Sequence, residues 1–371
     1  MSHAPSQALS AAPSPVPADA WLWDVFCRVI DNHGDLGVCW RLAAELGRRG
    51  HRVRLWIDEP GALAWMAPQG APGVAVVPWT PATPSPPPGD VVVEAFGCDP
   101  PGDFVAAMAA RAAAGRPPVW VNLEYLSAEG YVERSHALPS PQASGPGAGL
   151  VKWFFYPGFT ARTGGLLREA ALVADQARFD APAWRATHGI APAPGERVVS
   201  LFCYGHAPLA PCLARLAGRP TLVLTAPGPA TALAAATHWP AGVRHQALPW
   251  LSQPEYDHLL WSCDLNLVRG EDSFVRAQWA GRPFLWHIYA QDDGAHATKL
   301  QAFVDRHVAG AAPGVAAGVR AAFLAWNGLG PWPAALPDAA AWSDLAGRWR
   351  EQLLAQGELL SQLIAFVDQK R

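Results

Sequence analysis

Short apolar runs alternate with amphipathic stretches along most of this chain, and that alternation predicts its elements. Residues 25–30 read as a strand. Cys39, Leu42, Ala43 and Leu46 then fall on one face of a helix that Gly47 and Gly50 can stop. Residues 53–57, 91–96 and 118–123 are further short, β-rich runs. A second series starts with a strand at 197–203. It continues through strands at 221–225, 243–248, 264–268 and 283–288, with helical spacing at 253–261, 273–280 and 295–303. From 338 the pattern is helical almost to the end, and Trp342, Leu345, Trp349, Leu353 and Leu360 form an apolar stripe that must pack back on the body. Proline-rich 78–88 reads as a surface loop, and 135–149 as a long loop of functional length. The stretch 181–196 reads as a linker.

Strands alternating with helices in both halves predict parallel sheets with crossover helices. The expected organisation is a leader at 1–20, a Rossmann-like domain at 21–185, a second at 190–340, and a helix at 341–371 closing across both. This is an α/β fold of the GT-B type, whose ligand lies in the cleft between facing sheet edges. No internal repeat is evident.

With 371 residues the chain exceeds one ordinary core, in keeping with two domains. Half of it is apolar and its net charge is −3, the profile of a soluble globular protein without the basic surface that nucleic acid requires. Six scattered cysteines (Cys27, Cys39, Cys98, Cys203, Cys212, Cys263) form no CxxC pair. They read as buried thiols in a reducing compartment, not as a disulfide or zinc framework. The leader lacks the basic and apolar regions of a signal peptide, and the Ala-rich 104–114 is broken by Arg111 far short of a membrane span. The expectation is a cytoplasmic protein without membrane association.

The most informative stretch is 26–41, where an apolar run ends in a tight turn carrying Asp31 and Asp35 before a helix begins. A helix cap explains Asp35 alone, but Asp31 lies four residues earlier and cannot cap the same helix. Two carboxylates at a strand's carboxyl end suit general-base work on a poor nucleophile, and Gly34 permits close backbone approach. The second candidate is Arg269-Gly270-Glu271-Asp272-Ser273, between a strand and a helix. First-turn acids and an N-cap are the plain reading. The sharper one has Ser273 and free N–H groups hold a diphosphate with Arg269 as countercharge, and at least one acid facing a sugar hydroxyl or the acceptor. Phe202 and Tyr204 at another strand exit, Trp250 and Gln253 in Leu248–Gln253, and Gln291 after a fifth strand are either ordinary packing and turn residues or contacts to a nucleobase. His287 and His296 lack metal-ligand spacing. Neither GxGxxG nor GxxxxGK[ST] occurs, so dinucleotide binding and P-loop hydrolysis have no support.

The turn IDNHGDLGVCWRLAAEL and the block LLWSCDLNLVRGEDSFVRAQWAGRPFLWHIYAQDDGAHATKL resemble the bacterial elongation factor P arginine rhamnosyltransferases. The resemblance covers 21–371. It implies an inverting transferase that moves L-rhamnose from dTDP-β-L-rhamnose to an arginine of elongation factor P, with no metal and no cofactor. It makes the first domain acceptor-binding and the second nucleotide-sugar-binding. By position it implies Asp35 as general base, Asp31 as its partner carboxylate and Glu271 as a second essential acid. Arg269, Asp272 and Ser273 match contacts to the donor diphosphate and its surroundings. Gly34, Phe202, Tyr204, Trp250, Gln253 and Gln291 fall at or beside the donor, with Trp250 where another aromatic is expected. A GT-B transferase for a small-molecule or glycan acceptor, and a non-catalytic nucleotide-sugar-binding protein needing neither Asp31 nor Asp35, are the competing readings.

Overall fold

The computed structural model describes residues 20–30 and 33–371. Asp31 and the expected leader up to residue 19 lie outside the described residues. The first sheet contains β1 (Leu22–Cys27), β2 (Arg52–Ile57), β3 (Val74–Pro78), β4 (Val91–Ala95), β5 (Val119–Leu123), β6 (Pro139–Pro141) and β7 (Val151–Phe155), in the order β3-β2-β1-β4-β5-β7-β6. Its neighbours are parallel except β6, which runs against β7. The second sheet, β8 (Arg197–Leu201), β9 (Thr221–Thr225), β10 (Val243–Ala247), β11 (Leu265–Arg269) and β12 (Phe284–His287), is parallel throughout in the order β10-β9-β8-β11-β12. Strands β4, β5, β9 and β11 are buried at every residue because helices cover both sheet faces. In each sheet the strand order reverses beside the first strand, so the turns after β1 and β4, and after β8 and β11, open on a crevice.

The helix after β1, Gly34–Arg48, buries Leu36, Cys39, Leu42, Ala43 and Leu46, the face its spacing predicts. Two expected features differ. The helical tail is two helices, Ala339–Leu354 and Leu359–Lys370, divided at Gly357, where Glu358 accepts hydrogen bonds from the N–H groups of Leu360 and Ser361 and starts a new helix. Trp342, Leu345, Trp349 and Leu353 pack into the core of the second unit. Leu359, Leu360, Leu363, Phe366 and Val367 pack into that of the first. The stretch 181–196 opens with the helix Ala181–Thr187, capped by Asp180, whose Trp184 enters the second unit's core. No helix among the described residues is long and apolar enough to cross a membrane.

A buried ion network joins the units. Arg276 grips Asp257 with two hydrogen bonds (2.9 and 2.7 Å) and reaches Glu169 at 2.7 Å. Arg41, from the Gly34–Arg48 helix, lies 2.9 Å from Glu169, 3.1 Å from Asp257 and 2.9 Å from Asp272. Burial works against the charge of Arg41, but Asp257, Asp272 and Glu169 outweigh it and raise its proton affinity. Burial would likewise raise Glu169, yet Arg276 and Arg41 hold it down to about 2. Close approach of the two helices depends on Gly37, where a Cβ would come within 3.0 to 3.2 Å of the Asp272 side chain. Gln253 adds a hydrogen bond to the Gly37 carbonyl at 3.0 Å.

Candidate functional site

Asp35 sits in the first turn of its helix, where the helix dipole favours an anion. It is buried, and its Oδ2 accepts the Ile30 N–H at 2.9 Å, closing the turn on itself. Tyr125, just beyond β5, directs its hydroxyl to Asp35. Its ring stacks on Phe96 with centroids 4.3 Å apart and planes 13° from parallel. Phe96 follows β4 with a φ of 60°, a conformation costly for an aromatic residue and tolerated where the surroundings impose it. Burial, then the charges of Asp35 and Glu271, push the Tyr125 phenol up, so it remains a protonated donor.

The facing wall begins at the end of β11. Gly270 turns the chain with a φ of 67° into the helix Glu271–Ala280, and the side chains of Glu271, Asp272 and Ser273 diverge. Glu271 points at the first unit and accepts the Leu126 N–H at 3.1 Å. Burial pushes its carboxyl up to about 7, opposed by Lys299 and reinforced by Asp35 and Asp272. Asp272 meets Arg41, so its charge is compensated within the protein. The Ser273 hydroxyl donates to the carbonyl of Arg269. The Arg269 guanidinium is held between the rings of Phe202 and Tyr204, 4.6 Å from each centroid. It is buried, no acid pairs with it among the described residues, and its Nε has no hydrogen-bond partner. A buried cation of this kind calls for an anion.

Beside Arg269 lies a cavity, partly open to solvent, lined mostly by apolar groups such as Ala226, Pro227, Leu248, Pro249 and Leu259. Its apolar walls, with a buried cation at one end, fit a nucleoside joined to a diphosphate. Trp250, 47% exposed, stands at the mouth against Trp65 of the first unit, their ring centroids 4.3 Å apart. His33 meets both rings edge-on.

Of the candidates named from the sequence, Gly34, Phe202, Trp250, Gln253, Arg269, Asp272 and Ser273 all line this cavity. Tyr204 is buried behind it, its N–H donating to His287 Nδ1 at 3.3 Å. Burial, with His206 and Arg269 nearby, lowers His287 to about 3, so that ring is a neutral acceptor. Gln291 lies apart on an exposed turn, its N–H bonded to His296 Nδ1 at 3.1 Å. Asp35 and Glu271, from opposite units, both lie within electrostatic reach of Tyr125. Four residues at the site escape a motif search: Trp65, Tyr125, Lys299 and Arg41. Tyr125 follows an apolar strand directly, the signal that marks the other turns. The rest carry no local signal.

Comparison with known proteins bears on the family and the fold. The family model described as "Elongation-Factor P (EF-P) rhamnosyltransferase EarP" matches residues 23–368. A protein-arginine rhamnosyltransferase of Pseudomonas aeruginosa is 43% identical over 93% of this chain and 98% of its own. One from Neisseria meningitidis serogroup B is 35% identical over 92% and 96%. A solved structure from work on the structural basis for EarP-mediated arginine glycosylation of translation elongation factor EF-P superposes with a TM-score of 0.65 at 30% identity, covering 95% of this chain and all of that one. The spinosyn rhamnosyltransferase SpnG, complexed with thymidine diphosphate, shares the fold alone, with a TM-score of 0.51 at 15% identity over 93% of this chain and 99% of its own. The expected α/β GT-B architecture is therefore the architecture of this protein.

Proposed function

The chain belongs to the EF-P rhamnosyltransferase family of glycosyltransferases, and from that premise we propose that it transfers L-rhamnose from dTDP-β-L-rhamnose to an arginine of elongation factor P by a single inverting displacement, with Asp35 as general base. The observation that carries this reading is that Asp35 and Glu271, from opposite units, act electrostatically on each other and on Tyr125, beside a cavity that ends in Arg269, a buried cation with no acid partner among the described residues.

Arginine is a demanding acceptor. Its guanidinium keeps its proton up to a pKa above about 12 and spreads its lone pairs over three nitrogens. Carboxylates that grip the fork localise electron density on one nitrogen, and one of them must take the proton as the new C–N bond forms. Asp35 takes this proton. Its carboxylate is already held by the Ile30 N–H and the Tyr125 hydroxyl, so little reorganisation accompanies reaction. Glu271 clamps the guanidinium from the donor side. Asp31 enters as Asp35's partner through the family resemblance alone. The leaving dTDP is stabilised by Arg269 and the free N–H groups of the Gly270 turn, with Asp272 neutralised by Arg41 so that it does not repel the diphosphate. Phe202, Tyr204, Trp250 and Gln253 hold the nucleoside side, whereas Gln291 lies apart from it on its exposed turn. The reading is metal-independent: Arg269 supplies the countercharge that the departing diphosphate needs.

Incubation with dTDP-rhamnose and EF-P should add one deoxyhexose to a single arginine peptide by mass spectrometry. Unmodified EF-P after prolonged incubation with folded protein would refute the reaction. Trp250→Ala removes the exposed ring at the cavity mouth, and loss of base stacking, about 1–3 kcal/mol, should weaken dTDP binding roughly ten- to hundredfold by calorimetry. Unchanged affinity would place the base elsewhere.

Glu271 also sets a pH dependence. As a clamp for a cation it must be ionised, so turnover should fall as pH drops below about 7. The sign for stability is opposite. A carboxyl raised in the fold binds more protons folded than unfolded, so its contribution to stability declines as pH rises from its unfolded value to about 7. Glu271→Gln should therefore lose activity yet unfold at a higher temperature than wild type at pH 8. A lower melting temperature at pH 8 would contradict this.

A further inference from the structure

The Ala295–His307 helix brings Lys299 to the junction of the two units. The reaction as described makes no use of it. The other lysines have structural partners: Lys152 pairs with Glu94 at 2.7 Å, and Lys370 lies 3.9 Å above the Trp153 ring. Lys299 makes no ion pair and no hydrogen bond among the described residues. Its nitrogen stands 5.5 Å from the centroid of Tyr125, the ring that also stacks on Phe96 and points its hydroxyl at Asp35.

Three acids lie within electrostatic reach of this nitrogen: Glu271, Glu129 and Glu124. Each is held in place by a neutral donor. Glu271 takes the Leu126 N–H at 3.1 Å, Glu129 the Ser127 hydroxyl at 3.0 Å, and Glu124 the Asn122 amide at 2.8 Å. Lys299 is thus the cation they share, acting through space and leaving carboxylate lone pairs free. The titratable groups facing Glu271 are Asp35 on the Gly34–Arg48 helix, Tyr125 on the segment after β5, Asp272 on its own helix, and Lys299. Burial and both aspartates favour the protonated acid. Lys299 alone among these groups opposes them. A protonated Glu271 would present a donor and lose acceptor capacity where a guanidinium needs only acceptors.

We propose that Lys299 is a positioning residue whose charge keeps Glu271 ionised as the acceptor cation enters, with the Tyr125 ring fixing where that charge stands. This rests on the reading of Glu271 as the acceptor clamp. Burial lowers the proton affinity of Lys299 itself, while Glu271, Glu129 and Glu124 act to keep it charged. The four groups form one electrostatic unit spanning the cleft.

The test uses the full-length protein, free of substrate and labelled with 13C at the glutamate carboxyls. Glu271 is assigned by the signal missing from Glu271→Gln. In Lys299→Met the Glu271 midpoint should move to higher pH, and in Lys299→Arg it should stay near the wild-type position. With EF-P and dTDP-rhamnose, Lys299→Met should lose turnover roughly tenfold at pH 6.5 and much less at pH 8.5. The KM for dTDP-rhamnose should be unchanged, and Lys299→Arg should recover the wild-type profile. A Glu271 midpoint that is the same in Lys299→Met, or that is displaced in the charge-conserving Lys299→Arg, overturns the proposal. The second outcome remains readable even if the Met variant fails to fold. An inactive wild type would defeat the proposed reaction while leaving the carboxyl titration to decide the role of Lys299.

Discussion

Asp35→Asn should lower kcat for arginine rhamnosylation by roughly three orders of magnitude, the scale of a lost general base, while dTDP affinity stays at the wild-type level. The asparagine can still accept the Ile30 N–H that closes the turn, so the helix start survives. What it cannot do is take a proton from the attacking nitrogen. Because Asp35 stands on the first unit and the cavity beside Arg269 is built mainly from the second, the two readouts separate cleanly. Single-turnover rates and calorimetric dTDP titration decide it. A folded Asp35→Asn with kcat within tenfold of wild type would exclude proton transfer to this carboxylate.

The second large effect is on stability. Arg276→Met should cost about 3–5 kcal/mol, because it leaves Asp257 and Glu169 buried against Arg41 alone. Urea denaturation followed by circular dichroism measures this, and a loss below about 1 kcal/mol would mean that water already screens the network. The same network gives an acid signature. Glu169 is depressed to about 2, so its contribution is fully present above its unfolded value and is lost as pH falls through about 2. Arg276→Met should unfold at a distinctly higher pH than wild type on acid titration.

The path from sequence to site was legible where it ran through local chemistry. A strand followed at once by a polar, glycine-bearing turn marks the carboxyl edge of a parallel sheet, and both turns read this way, at Asp35 and at Arg269–Ser273, face the cleft. β4, β5, β9 and β11 were visible as apolar runs because they are buried on both faces. β3, β6 and β7 were not anticipated, because most of their residues are half-buried or exposed. The side-chain environments of Asp272 and Arg41 were not legible either. Their contact joins positions separated by more than half the chain, and no spacing rule encodes a pairing between units. Lys299 and Trp65 were invisible for the same reason. The tail's two helices were merged because the apolar stripe continues from Trp349 to Leu360 across the break at Gly357.

That break has a consequence for biosynthesis. The first sheet is assembled from the first 155 residues, but one flank of its core is completed by the closing twelve-residue helix, Leu359–Lys370. During translation the amino-terminal half therefore emerges with a greasy side uncovered until residues 359–370 have left the ribosome. A chain cut short at Gly357 would be expected to accumulate as a chaperone client rather than as a smaller working enzyme.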